Sequence, residues 1–548
     1  MTVKGPWTDA LRGGARSPLS RAVTGQLATR RWFRDKSRRI RATEVCDYLP
    51  VPSAAGPGAP VVGYLVVVRV ALDSGLPETY VLPLAHAVDD AAAEVRKWRA
   101  DSIAAEISSA DGDGVIYDAL GDAEFARALV DLMGRRRQLS GRSLRLAGVP
   151  ARALRRLRQS IDVESPVVPI TSEQSNTSVI IGNQVILKLI RRVEEGRNPD
   201  VEVGRYLTEH AGFEHSPAVG GSLELRAGPQ DDEAATIAVL QEFVVNEGDG
   251  WSYVLDALSR VLEEAIARPD PAELDLDLPA HPLAAAALPP AHGHFLVGPQ
   301  LQWAEALGRR TAEMHLALAA DRSDDAFAPV PLTAVDRRSL HHGARSLLRQ
   351  SLRAAQSVRE PSECLTELLD RQAEVFDRLQ TISAQPIVAQ RIRCHGDYHL
   401  GQVLWTGKDF VIIDFEGEPA RTLSSRRQKR PALVDVAGMI RSFHYASRAA
   451  GNRLARDLLQ SREPASLEPL LSLWYRAVSG AFLRSYLAAA EDGAFLPKEP
   501  GQLGALLDFL LLEKAIYELG YEANNRPDWV DIPAQGLLDL LAVAGAAG

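Results

Sequence analysis

The sequence predicts an α+β protein: a strand-containing N-terminal unit, a second strand-rich unit and a long helical C-terminal part. Three observations predict it. Runs rich in β-branched residues and bounded by turn formers recur at Val61–Val70 (VVGYLVVVRV), Thr79–Leu84, Val185–Ile190 and Ala235–Val245, the pattern of strands. Beyond residue 298 the chain reads as mostly helical. One hairpin-like region at 391–416 interrupts those helices and ends a strand in a carboxylate. At 548 residues and 46% hydrophobic, the chain is too long for one core and has ample apolar material for several.

The elements follow in order. Residues 1–95 open with a polar, Arg-rich stretch ending in RRWFRDKSRRIR. They continue into two strands around the turn formers LDSGLPE, and together form an α+β cap domain. The basic cluster Arg30–Arg41 reads as a solvated helix end and strand start. Residues 96–165 read as a helical linker. Residues 166–248 return to strands at Val179–Ile181, Val185–Ile190 and Ala235–Val245, with a helix VEVGRYLTEH after the turn GRNPD. Residues 249–548 are the helical part, in which 266–298, rich in Pro, Ala, Asp and Leu, reads as an extended insertion rather than core. Trp303 and Met314 sit at helical spacing as core residues.

Charge and cysteine content exclude several classes. The formal net charge of −9 disfavours a nucleic-acid partner, since displacing phosphate counterions needs a basic surface. Three widely separated cysteines, Cys46, Cys364 and Cys394, show no metal-ligand spacing and suit a reducing compartment. The N-terminus lacks the apolar run of a secretory leader, and apolar stretches elsewhere are too short for a bilayer. The expectation is a soluble, cytoplasmic protein with no membrane partner.

The segment CHGDYHLGQVLW (394–405) followed by DFVIIDFEGEP (409–419) carries the chemistry. In a kinase catalytic loop, H-R-D-x-x-x-x-N, the Asp receives the proton of the attacking hydroxyl and the residue five positions on holds Mg²⁺. His395, Asp397 and Gln402 stand at those positions. Gln402 replaces Asn but still offers a neutral hard oxygen. Asp414, at the end of the strand Val411–Ile413, resembles the Asp of D-F-G. It is the candidate bridge from Mg²⁺ to the nucleotide phosphates, with Glu416 a further metal ligand or a sugar contact. Upstream, Val185-Ile186-Leu187-Lys188 matches the kinase strand carrying the phosphate-binding lysine. A lysine among apolar neighbours needs a partner, and Glu202 on the next helix is the candidate; an edge-strand surface lysine is the alternative. No G-x-G-x-x-G precedes Lys188. Ser175, Asn176, Thr177 and Ser178 stand where phosphates would be capped, and Gln241, Glu242, Phe243 and Val244 where backbone groups would meet adenine.

Together with DFEGEPARTLSSRRQKRPALVDVAGMIRSFHYA and EKAIYELGYEANNRPDWVDIP, these motifs resemble the maltokinase family, within the aminoglycoside-phosphotransferase-like branch of the protein-kinase fold. The N-terminal RRWFRDKSRRI and TYVLPL resemble its cap, with Asp35 where the cap commonly has Gly. The resemblance, from about residue 25 to 535, implies a bilobal protein-kinase-like fold behind the cap. It also implies ATP and Mg²⁺ as cofactors and the conversion of maltose to maltose 1-phosphate, feeding glycogen or α-glucan synthesis from trehalose, with trehalose synthase as a partner. Carried over, Asp397 is the catalytic base, Gln402 and Asp414 are the metal ligands, and Lys188 is the phosphate lysine. Relatives that phosphorylate glucosamine share much of this motif set.

Sugar sites pair carboxylates and amides with an aromatic face. Tyr517, Glu518, Glu522 and Trp529 supply these types near the C-terminus, with a solvated helix as the alternative. His399 is a candidate sugar contact, as is Arg441, for which an ion pair with Asp435 is the alternative. The charged run Arg421–Arg430 stands in the place of an activation segment. An amino-sugar or aminoglycoside kinase is the rival enzyme. A carbohydrate-sensing pseudokinase is the non-enzymatic rival and would be expected to lack Lys188, Asp397 or Asp414; all three are present.

Overall fold

The computed structural model describes residues 1–548 except 15–16, 34–37, 57, 160, 163, 171–175, 229–233, 268–277, 291–293, 295–296, 385, 459–466 and 546–548. Asp35, Ser175 and much of 266–298 therefore lie outside the described residues. The chain divides into two compact units. The first holds residues 1–210, 217–245 and 419–423; the second holds 211–216, 246–418 and 424–548.

The first unit is built on two antiparallel sheets. The cap sheet has five strands: β1 (Ile40–Pro52), β2 (Val61–Leu72), β3 (Glu78–Val88), β4 (Ile103–Ser109) and β5 (Gly112–Asp118), in the order β1-β2-β3-β5-β4. The run VVGYLVVVRV forms β2 and is buried on both faces, as a continuous apolar strand must be. Leu65 and Val67 face one cluster, and Val66, Val68 and Val70 face another against the N-terminal helix Pro18–Gln26.

The second sheet has seven strands: β6 (Gln138–Ser140), β7 (Arg145–Pro150), β8 (Val167–Pro169), β9 (Thr177–Ile181), β10 (Val185–Leu189), β11 (Val219–Arg226) and β12 (Ala235–Glu242), in the order β6-β7-β11-β12-β10-β9-β8.

The helix Ala123–Gly134 joins the two sheets. Its Phe125, Leu129, Leu132 and Met133 share one apolar cluster with strands of both. Glycines permit the approach. A Cβ on Gly63 of β2 would lie 2.8 Å from the Phe125 ring, and one on Gly148 of β7 would lie 2.0 Å from the Leu132 carbonyl oxygen.

Polar ties reinforce this core. Asp47 of β1, fully buried, accepts the backbone N–H groups of Arg142, Ser143 and Leu144 at 2.7–2.8 Å. Burial pushes its carboxyl up, but these bonds outweigh that and hold it below its ordinary value. Arg191, just after β10, pairs with Asp118 of β5 at 2.7 Å and lies over the Trp32 ring.

The helical linker expected over 96–165 is corrected. That stretch holds β4, β5, β6 and β7 as well as the helices Ala123–Gly134 and Leu154–Gln159. Asp111-Gly112 at the β4–β5 turn, with Gly112 at φ +117°, was the overlooked signal. The cap sheet therefore runs to residue 118.

The second unit is mainly helical, with a hairpin Val403–Trp405/Phe410–Ile412 and a small sheet of residues 330–331, 390–392 and 430–431. The helices Gly298–Leu318 and Glu468–Ala489 pack closely enough that a Cβ on Gly308 would lie 2.3 Å from the Phe482 carbonyl oxygen. Trp303 and Met314 are buried there, as expected. The described part of 266–298 is not all exposed loop. Residues 282–287 form a helix whose Ala285 abuts Gly480, and Val297 is fully buried. Among the described residues no helix is long and apolar enough to cross a membrane.

Candidate active site

The loop after strand Gln390–Ile392 is fixed from behind. The N–H groups of His395 and Gly396 donate to the two carboxylate oxygens of Asp435 at 2.8 and 2.9 Å. Asp435 opens the helix Leu433–Leu458 and also meets His315 at 3.0 Å, and His315 in turn meets the Tyr486 hydroxyl at 2.9 Å. Burial pushes the Asp435 carboxyl up, yet His315 and the backbone donors outweigh it and hold it below its ordinary value. His395 Nε2 lies 2.9 Å from the Ile413 carbonyl oxygen. A carbonyl only accepts, so Nε2 carries the proton. That bond ties the loop to the strand leading into Asp414. Gly396 sits at φ +84°, where a side chain would be strained. Tyr398 is buried, with its hydroxyl 2.9 Å from Thr311.

Three predicted residues meet within this unit. Gln402 Nε2 donates to Asp414 Oδ2 at 3.1 Å, and the Ile413 N–H donates to the Gln402 carbonyl at 3.0 Å. Asp414 stands at φ +62°, a left-handed geometry uncommon outside glycine. Carboxylate oxygens of Asp414 and Glu416 lie within 4.8 Å of each other. One amide and two carboxylates in this grouping are the hard-oxygen donors that Mg²⁺ takes, so the residues fit that ion. Asp397 is half-buried, and Lys514 Nζ stands 3.7 Å from its Oδ1. His399 accepts the Gly401 N–H on Nδ1 at 3.1 Å and so shapes the turn. Burial pushes its imidazole below the ordinary value, against the pull of Asp397.

In the first unit Lys188 is buried on β10 between Ser178 of β9 and Val239 of β12. Its Nζ lies 3.4 Å from Asp200 Oδ2. Asp200, passed over in the sequence in favour of Glu202, is fully buried at the start of helix Pro199–Arg205. Glu202 lies in the same helix, also buried. Asn176 precedes β9, whereas Thr177 and Ser178 lie within the strand, and the Thr177 hydroxyl accepts from Arg191 at 3.0 Å. Gln241 and Glu242 end β12; Glu242 holds Arg156, and the Phe243 N–H donates to the Gln184 carbonyl. Val244 follows directly in the chain.

The helix Pro500–Asn525 presents two different faces. On one, Lys514 Nζ lies 5.0 Å from the centre of the Tyr517 ring, the Tyr517 hydroxyl bonds Glu418, and the Tyr521 ring stacks 6.3 Å away. Burial first, and Glu418 next, push the Tyr517 hydroxyl above its ordinary value. On the other face Glu518 takes Arg441 Nε and Nη2 at 2.9 and 2.8 Å, both side chains buried. Glu522 takes Arg526 and, at 3.3 Å, the Tyr445 hydroxyl. Of the expected sugar contacts, Arg441 and Glu518 are engaged with each other in a buried ion pair, and Glu522 is paired with the exposed Arg526, because positions 518 and 522 face the helix Leu433–Leu458. Arg441 pairs with Glu518 instead of Asp435. Trp529 is partly exposed beneath the Arg526 guanidinium. In the charged run, Arg430 pairs with Glu513 at 3.0 Å and Lys429 donates to two backbone carbonyls.

Fold and loop define the class: an α+β phosphotransferase of the protein-kinase-like fold with an N-terminal cap domain. Residues 254–493 match the phosphotransferase enzyme family and residues 27–122 match the maltokinase N-terminal cap domain, so the chain carries both. A glucosamine kinase of Streptacidiphilus jiangxiensis is 27% identical over 381 residues, covering 68% of this chain and 74% of that protein. One from Mycolicibacterium smegmatis is 26% identical over 373 residues, covering 68% and 79%. A solved glucosamine kinase in complex with glucosamine, ADP and inorganic phosphate is similar at a TM-score of 0.59 and 22% identity, covering 91% of this chain and 94% of that one. Another crystal form gives 0.60 and 21%, covering 98% and 99%. At that identity the structural likeness speaks for the fold.

Proposed function

We propose that this phosphotransferase moves the γ-phosphoryl group of ATP to a hydroxyl of maltose, giving maltose 1-phosphate. The observation that carries the kinase chemistry is the loop itself. Asp397 stands at a turn clamped through Asp435, and the same loop delivers Gln402 against Asp414. Phosphoryl transfer is accelerated mainly by positioning and charge neutralisation. Asp397 orients the acceptor hydroxyl and receives its proton as the oxygen attacks phosphorus. Lys188, 3.4 Å from Asp200, binds phosphate oxygens. Gln402, Asp414 and Glu416 would hold Mg²⁺, which when bound would neutralise phosphate charge.

The acceptor side favours a neutral disaccharide. From Lys514 to Tyr521 the helix runs about 10 Å, lined by Tyr517 and Tyr521 as stacking rings. Lys514, 3.7 Å from Asp397, repels an ammonium group. A glucosamine acceptor is the second reading, favoured by the curated relatives and by Glu418 at Tyr517.

The test is ADP release with Mg²⁺ over maltose, glucosamine, glucose, trehalose and an aminoglycoside, beside Asp397→Asn. The variant is expected to lose about 10²–10⁴-fold in turnover with ADP binding unchanged by calorimetry. Unaltered turnover removes Asp397 as base; turnover with glucosamine alone moves the assignment to the second reading.

A further inference from the structure

In a chain of net charge −9, residues 132–161 carry nine arginines and no carboxylate. They form the end of helix Ala123–Gly134, the hairpin β6–β7 and the helix Leu154–Gln159. Arg136, Arg152, Arg155 and Arg158 line one depression of about 550 Å³, a volume suited to a small ligand. None of Lys188, Gln241, Glu242, Phe243 or Val244 lines it. Arg158 is tied to the buried Asp131, and Arg152 gives a guanidinium N–H to the Glu209 carbonyl at 2.9 Å. Among the described residues no carboxylate pairs with the guanidinium of Arg136 or Arg155.

Arg136 has a second peculiarity. It stands at φ +50° where the chain leaves helix Ala123–Gly134, with its N–H on the Met133 carbonyl and that of Arg137 on the Leu132 carbonyl. Such a helix end favours glycine. An arginine there is conformationally costly, and what it adds is its guanidinium in the depression.

We propose that this depression binds a small molecule bearing two or more phosphate groups, apart from the nucleotide of the transfer reaction. Guanidinium forks match phosphate oxygens in pairs. Several of them around so small a volume exceed what a single carboxylate neutralises.

The test is calorimetric titration of the full chain with sodium tripolyphosphate at low and moderate salt. Lys188→Ala separates this site from the nucleotide phosphates, and Arg136→Gly with Arg155→Gln removes it, the glycine suiting the backbone. The expected result is binding that weakens with salt, is retained in Lys188→Ala, and falls roughly tenfold or more in the double variant. The double variant should keep its thermal transition and its ADP release. Binding lost in Lys188→Ala but kept in the double variant overturns the proposal. So does no binding at low salt, or tighter binding of a polyglutamate peptide than of tripolyphosphate, which would make the face a dock for an acidic protein.

Discussion

Asp435 carries the heaviest hydrogen-bonding duty described at the catalytic loop. It is buried, and it holds the N–H groups of His395 and Gly396 while facing His315. Because its folded pKa lies below that of a free carboxylate, its stabilisation is full above about pH 3.9 and is lost as pH falls through the lower folded value. Asp435→Asn should therefore be less stable than the parent by about 1–3 kcal/mol at pH 7, and the gap should close below about pH 4. Urea denaturation at several pH values measures both. Asp397, Gln402 and Asp414 were legible in the sequence because one short segment carries them at fixed spacing. Asp200 and Lys514 were not. Asp200 competes with Glu202 in the same helix, and Lys514 reaches Asp397 from a helix over a hundred residues further along the chain. Periodicity alone settles neither approach.

At the scale of elements, the helix Pro500–Asn525 shows what a spacing rule leaves open. Steps of four residues place Glu518 and Glu522 in one row and Tyr517 and Tyr521 in the next, and the long Lys514 side chain leans over to the tyrosine row. Which row meets solvent depends on the helices packed against it. Glu518→Ala leaves Arg441 as a buried cation without its carboxylate. It is expected to cost about 3–5 kcal/mol, read as a lowered melting temperature. Tyr521 is 43% exposed, so Tyr521→Ala is expected to shift stability by less than about 0.5 kcal/mol while raising KM for the proposed acceptor. Equal loss of stability in both variants would contradict this division of faces. The strands β4 to β7 escaped the sequence reading for a related reason. They are short, and β4 (IAAEISS) and β5 (GDGVIYD) are rich in Ala, Gly, Asp and Glu, residue types depleted in strands.

At the scale of the molecule, the two compact units each bury their own apolar clusters. Thermal unfolding is therefore expected to depart from a single two-state step, with a calorimetric enthalpy above the van't Hoff value; equality of the two would show one cooperative block. The division into a strand-rich and a helical part was visible in the sequence, since composition and period differ between them. The extent of the cap was not, because its last two strands are short and built largely from residues that form strands weakly. The helix Ala123–Gly134 has a consequence for ancestry. One of its sides is walled by β2 and the other by the sheet bearing Lys188. Deleting the first hundred-odd residues would lay Phe125 and Leu129 bare to water and loosen the floor beneath that lysine. A lineage shedding this front segment must repaint the helix with polar side chains at the same time, so the segment behaves as a permanent wall of the enzyme instead of an ornament that evolution can clip off.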